Sequence, residues 1–143
     1  MTFRRLSITL GVLALLALPL AACQQPAAVV AAPAPKAFMV FFDLGKANLS
    51  ARAKAVVMDA ATSAKTMVHT QIDVNGFADT SGSPKANQAL SMRRAKTVAA
   101  ELVRDGVPAK EIAIKAFGDT VLLVPTGPGV REPQNRRVEI IIR

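Results

Sequence analysis

The sequence predicts a two-layer α/β sandwich of the α+β kind, in the order strand, helix, strand, helix, strand, strand, with helices covering one face of a four-stranded sheet. Three observations predict it. Two segments open on helix-capping serines and then repeat aliphatics at helical spacing. Four short segments are continuously apolar or alternate with period two, as strands do. The chain has 143 residues, a length that one hydrophobic core organises and that excludes a multidomain enzyme. Hydrophobic residues make up 51% and aromatics only 4%, so the apolar content is aliphatic and alanine.

Residues 1–22 read as an export signal. Arg4 and Arg5 form a positive start, and Ile8 to Leu20 is apolar apart from Thr9, Gly11 and Pro19. The run is shorter than the roughly 20 residues a bilayer span needs, which favours cleavage over anchoring. Cys23 is the only cysteine, so an intramolecular disulfide is excluded. Leu20-Ala21-Ala22-Cys23 resembles a bacterial lipobox. That resemblance implies a mature chain that begins at Cys23 and is held on a lipid bilayer by acyl chains on its thiol, each buried methylene contributing about 0.8 kcal/mol. It also implies, because Gln24 rather than Asp follows, delivery to the inner leaflet of the outer membrane, with the domain facing the periplasm. Gln24 to Lys36 holds three prolines among alanines and predicts an extended tether, with a reach of roughly 40 Å at 3.1 Å per residue.

The domain is expected over residues 37–143. Ala37 to Phe42 is a continuous apolar run, the pattern of a strand buried on both faces. Ser50 predicts the N-cap of a helix through Met67, with Ala53, Val56, Val57, Ala60 and Ala64 inward. Gln71 to Asn75 alternates as a strand, and 76–82 is a loop. Ser83 and Pro84 suit the N-cap and first position of a helix running to Arg104, which Asp105-Gly106-Val107-Pro108 stops. Glu111 to Phe117 and Arg137 to Arg143 alternate as the last two strands, separated by a turn-rich segment with three glycines and three prolines.

The second helix carries an anomaly. With Leu90 at 0° and about 100° per residue, Val98, Leu102, Ala95 and Ala99 fall between about 80° and 180°, and Arg94 at about 40° lies with them. Arg93 at about 300° and Lys96 at about 240° lie outside. A guanidinium on a buried stripe is costly unless something anionic meets it, supplied by the protein or by a ligand. Asp79 is the natural companion, since it lies in the loop that feeds the helix N-terminus, although an Asp there also suits an ordinary turn. A carboxylate and a guanidinium flanking one cleft match the ammonium and carboxylate of an amino acid.

Gly76-Phe77-Ala78-Asp79-Thr80-Ser81-Gly82, then Asn87, Leu90-Ser91-Met92-Arg93-Arg94-Ala95 and Asn135-Arg136-Arg137-Val138-Glu139-Ile140, resemble the OmpA-like peptidoglycan-binding domain. Phe41-Phe42-Asp43, Asn48-Leu49 and Gly106-Val107 extend the likeness over Phe38 to Ile142. The resemblance implies a βαβαββ fold with a mixed sheet. It implies a pocket for the diaminopimelate of the wall's peptide stems, with Asp79 receiving its ammonium and Arg94 its carboxylate. Asn87, Arg136 and Asp43 match positions at the same site. The chain departs from the family pattern at Ala78, usually Thr or Ser, and at Gly45, often Asp or Asn. Each departure removes a polar side chain near the pocket and bears on affinity more than on ligand class.

The net charge of +8 falls to +6 without residues 1–22, so the basic character belongs to the domain. It admits anionic lipid or an acidic polymer. Nucleic acid is not expected, because an exported protein does not meet it and no aromatics interleave with the basic residues. No catalytic residues, cofactor or metal are expected: His69 is the sole histidine and stands alone, and no nucleophile–base set or phosphate loop occurs. The expected protein is therefore a non-catalytic outer-membrane lipoprotein that tethers the membrane to peptidoglycan, with periplasmic or outer-membrane protein partners possible. A peptidoglycan-active enzyme and a lipoprotein that docks a periplasmic protein are the alternatives.

Overall fold

The computed structural model describes residues 34–68 and 71–143. The export signal, Cys23, tether residues 24–33 and His69 lie outside them.

Strand β1 (Lys36–Phe41) is followed by helix α1 (Ala51–Thr66), strand β2 (Ile72–Gly76), helix α2 (Pro84–Arg104), strand β3 (Ile112–Ala116) and strand β4 (Arg137–Ile142). Both helices begin where the serines dictate. The Ser50 hydroxyl accepts from the Ala53 N–H and that of Ser83 from the Ala86 N–H, while Pro84 occupies a position whose N–H has no helical partner to lose. The sheet is mixed, in the order β1-β4-β2-β3. Strands β2 and β3 run parallel through the α2 crossover, and β4 pairs antiparallel with β1 on one side and β2 on the other.

The last strand thus inserts between the first two. β1 becomes an edge, which corrects the expectation that it is buried on both faces. Val40 points into the core, while Met39 and Phe41 point the other way and stay 42% and 48% exposed. β2 is central instead, and all five of its residues are buried.

Between the sheet and the helices, Val40, Ile72, Val74, Val138, Ile140 and Ile142 meet Val57, Ala60, Ala61, Val98 and Leu102 in one apolar core. The alanines of α1 let it lie close to the sheet, so a core with few aromatics is still closed to solvent. Gly76 performs the same service at the end of β2. A Cβ there would stand 2.1 Å from the Ser91 carbonyl oxygen, so only glycine lets the strand exit lie against α2.

Candidate functional site

The end of the sheet where β1 and β2 stop and β4 starts gathers most of the buried polar residues, Asp73 near the start of β2 being an exception. On α2 the buried face splits lengthwise. Its C-terminal half is Ala95, Val98, Ala99 and Leu102, and its N-terminal half is Asn87, Ser91 and Arg94. Leu90, placed on the stripe by the sequence, is only half-buried, because the stripe centres nearer Ser91.

Arg94 is wholly closed to solvent. Its Nε donates to the Lys46 carbonyl at 2.9 Å, Nη1 to the Phe77 carbonyl at 3.1 Å and Nη2 to the Asp43 carbonyl at 3.1 Å. The guanidinium also sits over the Phe42 ring, 5.2 Å from its centroid. It therefore pins the exit of β1, the 43–46 turn and the exit of β2 to one point. A guanidinium carries five N–H donors, so these contacts leave two unspent. Burial pulls the Arg94 pKa down to about 10, against the opposing pull of the Asp79 charge, and the charges of Arg136 and Arg93 lower it further.

Asp79, also buried, lies two residues past the carbonyl that Arg94 grips. Its ion partner among the described residues is Arg136 rather than Arg94: Arg136 Nη1 donates to Asp79 Oδ2 at 3.1 Å, while Arg136 Nε donates to the Phe42 carbonyl at 3.1 Å. The other oxygen accepts from the Ser81 hydroxyl at 2.6 Å and the Ser81 N–H at 3.4 Å. Burial alone would raise the carboxyl's pKa, but the hydrogen bonds from Ser81 and Arg136, with the Arg136 charge, outweigh it and hold Asp79 below its ordinary 3.8. The two residues that the sequence paired are thus close enough to feel each other's charge and are separately anchored. Of the three side chains Arg136 is outermost, 12% exposed against 5% for Asp79.

The other expected site residues are placed as follows. Asn87 is buried, and its amide donates to the Gly82 carbonyl at 3.2 Å and to Asp119 Oδ2 at 2.9 Å, which ties the Asp79 loop to the loop after β3. Asp43 contributes its backbone carbonyl to Arg94, while its carboxylate points outward and pairs with Lys46 at 3.3 Å. Gly45 has φ +69°, a left-handed turn that Gly accepts without a Cβ penalty and that Asn also tolerates, so the backbone there suits either residue. Ala78 is buried, with its N–H donated to the Gly118 carbonyl at 2.7 Å.

Several residues beyond the expected set hold the site together. Ser81 stands two positions after Asp79, the spacing of a local side-chain turn, and that signal was available in the sequence. Ser91 accepts from the Gly118 N–H at 3.0 Å. Asn135, closed to solvent, accepts from the N–H groups of Leu123 and Val124 and donates to the Val124 carbonyl. The Thr80 hydroxyl donates to the Gly127 carbonyl at 2.7 Å and accepts from the Val130 N–H at 3.1 Å. The long β3–β4 connection is thereby fastened to the loop that bears Asp79.

A model described as the OmpA family matches residues 41–136. An outer membrane protein of Gluconacetobacter diazotrophicus is 48% identical over 118 residues, covering 78% of this chain and 31% of that protein. The peptidoglycan-binding protein ArfA of Mycobacterium tuberculosis is 36% identical over 72 residues, half of this chain and 22% of that one. The chain spans less than half the length of such curated relatives. The fold matches the crystal structure of the peptidoglycan-associated lipoprotein from Burkholderia pseudomallei with a TM-score of 0.68 at 23% identity, covering 74% of this chain and 90% of that one.

Proposed function

This chain belongs to the OmpA family, and from that premise we propose that it is a non-catalytic outer-membrane lipoprotein that binds peptidoglycan through the diaminopimelate of the peptide stems. The observation that carries the reading is the trio at the sheet end: one buried, ionised carboxylate, Asp79, with an exchangeable cation above it in Arg136 and a fixed one below in Arg94. An amino-acid end group presents an ammonium and a carboxylate. The ammonium replaces Arg136 on Asp79, and the carboxylate takes the two N–H donors that Arg94 does not spend on backbone carbonyls. Asn87 keeps the Asp79 loop in register through Gly82 and Asp119, and the Asp43 carbonyl helps fix the Arg94 plane. Because Arg94 is already immobilised, little side-chain entropy is lost when ligand arrives.

The names of relatives support the same reading, one being called peptidoglycan-binding and another a peptidoglycan-associated lipoprotein. Cys23 carries the acyl chains, residues 24–35 are the tether, since Lys36 already belongs to β1, and the domain faces the periplasm. The test is co-sedimentation of the full chain, in detergent, with purified sacculi. Wild-type protein pellets with the wall and Asp79→Asn stays in the supernatant, while equal pelleting rejects the site. Mass spectrometry of the mature protein finds lipid on an N-terminal Cys23, and an unlipidated or different N-terminus rejects the anchor.

A further inference from the structure

Beside the Asp79–Arg136 pair the surface opens into a trough of about 350 Å³, lined by Phe41, Phe42, Asp43, Pro133, Gln134 and Arg136. Arg136 belongs to both, so whatever chain enters the Asp79 site has this trough as its neighbour. Phe41 ends the edge strand with half its surface open to solvent, on the side away from the helices, in a protein with only six phenylalanines and no other large aromatic. Pro133, exposed as well, gives a second flat apolar face. The rim is polar: the Asp43 carboxylate, 76% exposed, pairs with Lys46 at 3.3 Å, and Glu132, whose carboxylate accepts from the Gln134 N–H at 3.0 Å, stands next to Pro133. The one cation in the lining, Arg136, is engaged by Asp79 and the Phe42 carbonyl.

This combination discriminates between the constituents of a wall polymer. The two apolar faces favour a ligand with a broad C–H face over a short acidic side chain, which has none to lay on them. A sugar ring fits on each count. Its C–H face, slightly positive, lies on the negative face of an aromatic ring. Its hydroxyls donate to the carboxylate of Asp43, and its acetamido group matches the side-chain amide of Gln134. Resting on the diaminopimelate reading of the adjoining site, we propose that this trough is a second subsite that takes an N-acetylated amino sugar of the glycan strand, with Phe41 as its stacking platform.

Titration calorimetry on the full chain in detergent, with two synthetic probes, tests this. One probe is a stem tripeptide ending in diaminopimelate, and the other is the same stem on its N-acetylglucosamine–N-acetylmuramic acid disaccharide. Wild type binds the sugar-bearing probe about tenfold more tightly, and Phe41→Ala removes that increment while leaving affinity for the bare peptide unchanged. Phe41→Trp retains it. Equal wild-type affinity for the two probes overturns the sugar subsite and leaves the peptide site standing. So does a Phe41→Ala loss of the same size on both. If neither probe binds wild type, the diaminopimelate reading fails first and the subsite falls with it.

Discussion

Under the helices, Val57, Val74, Val98, Leu102 and Ile140 are closed to solvent and contribute only carbon to their surroundings; at the end of the sheet, Ser91, Arg94 and Asn135 are just as closed and offer hydrogen-bonding groups. α2 runs through both regions, apolar along its C-terminal half and polar along its N-terminal half. The difference teaches what each region is for. Apolar burial is non-directional, so the core contributes stability and tolerates repacking within its volume. Buried polar groups count only with their partners in place, so the sheet end holds a fixed geometry, and any member removed strands its partners.

The sharpest way to break the comparison is one truncation in each region. Arg94→Ala leaves the carbonyls of Asp43, Lys46 and Phe77 without their donor, and at about 1–3 kcal/mol for each buried group left unmet the expected loss is about 4 kcal/mol or more. Leu102→Ala creates a cavity and costs about 3 kcal/mol. Urea denaturation measures both. What separates the regions is wall binding by the protein that remains folded: normal for Leu102→Ala and absent for Arg94→Ala. A Leu102 variant that folds but no longer binds would show that core and site are not separable.

Acid sharpens the comparison through Asp79, a group the core lacks. Its carboxyl is held below 3.8 in the folded protein, so the unfolded chain binds more protons across that window and stability rises with pH there. The contribution is complete above about pH 5 and is lost as pH falls through the folded value. Unfolding free energies at pH 3 and pH 5 should therefore differ by more in wild type than in Asp79→Asn, and an equal difference would mean that Asp79 makes no net contribution as an ionised group.

The smallest effect is expected next door. Arg93 is exposed on the outer side of α2, so Arg93→Ala should change stability by less than about 0.5 kcal/mol and leave co-sedimentation with sacculi intact. Equal binding losses for Arg93 and Arg94 would refute the assignment of Arg94 to the inner face.

The core and the helix limits were legible because they are local. Ser50, Ser83 and Pro84 mark helix starts by chemistry confined to one turn, and the spacing of Val98, Leu102 and Arg94 places them on one face. Three features were not legible. The apolar run 37–42 has the composition of a doubly buried strand, yet β1 is an edge, because strand order depends on where β4 inserts, and no local pattern records that. The partners of Arg94 are backbone carbonyls, which leave no mark in a sequence, so the pattern that placed a cation inside could not say that three carbonyls rather than Asp79 receive it. Likewise Arg136 reaches Asp79 across 57 positions, through the β2–β4 register and the connection that Thr80 and Asn135 fasten.

The central claim is that a fixed anion and a fixed cation at the sheet end recognise both charges of one amino-acid end group. Titration calorimetry of the full chain with two stem peptides tests it most directly, one ending in diaminopimelate and the other carrying lysine in its place. Lysine offers the ammonium for Asp79 and no second carboxylate for Arg94. The account predicts at least about thirtyfold tighter binding of the diaminopimelate peptide, equivalent to roughly 2 kcal/mol. Equal affinities would contradict it, even in a protein that still adheres to the wall.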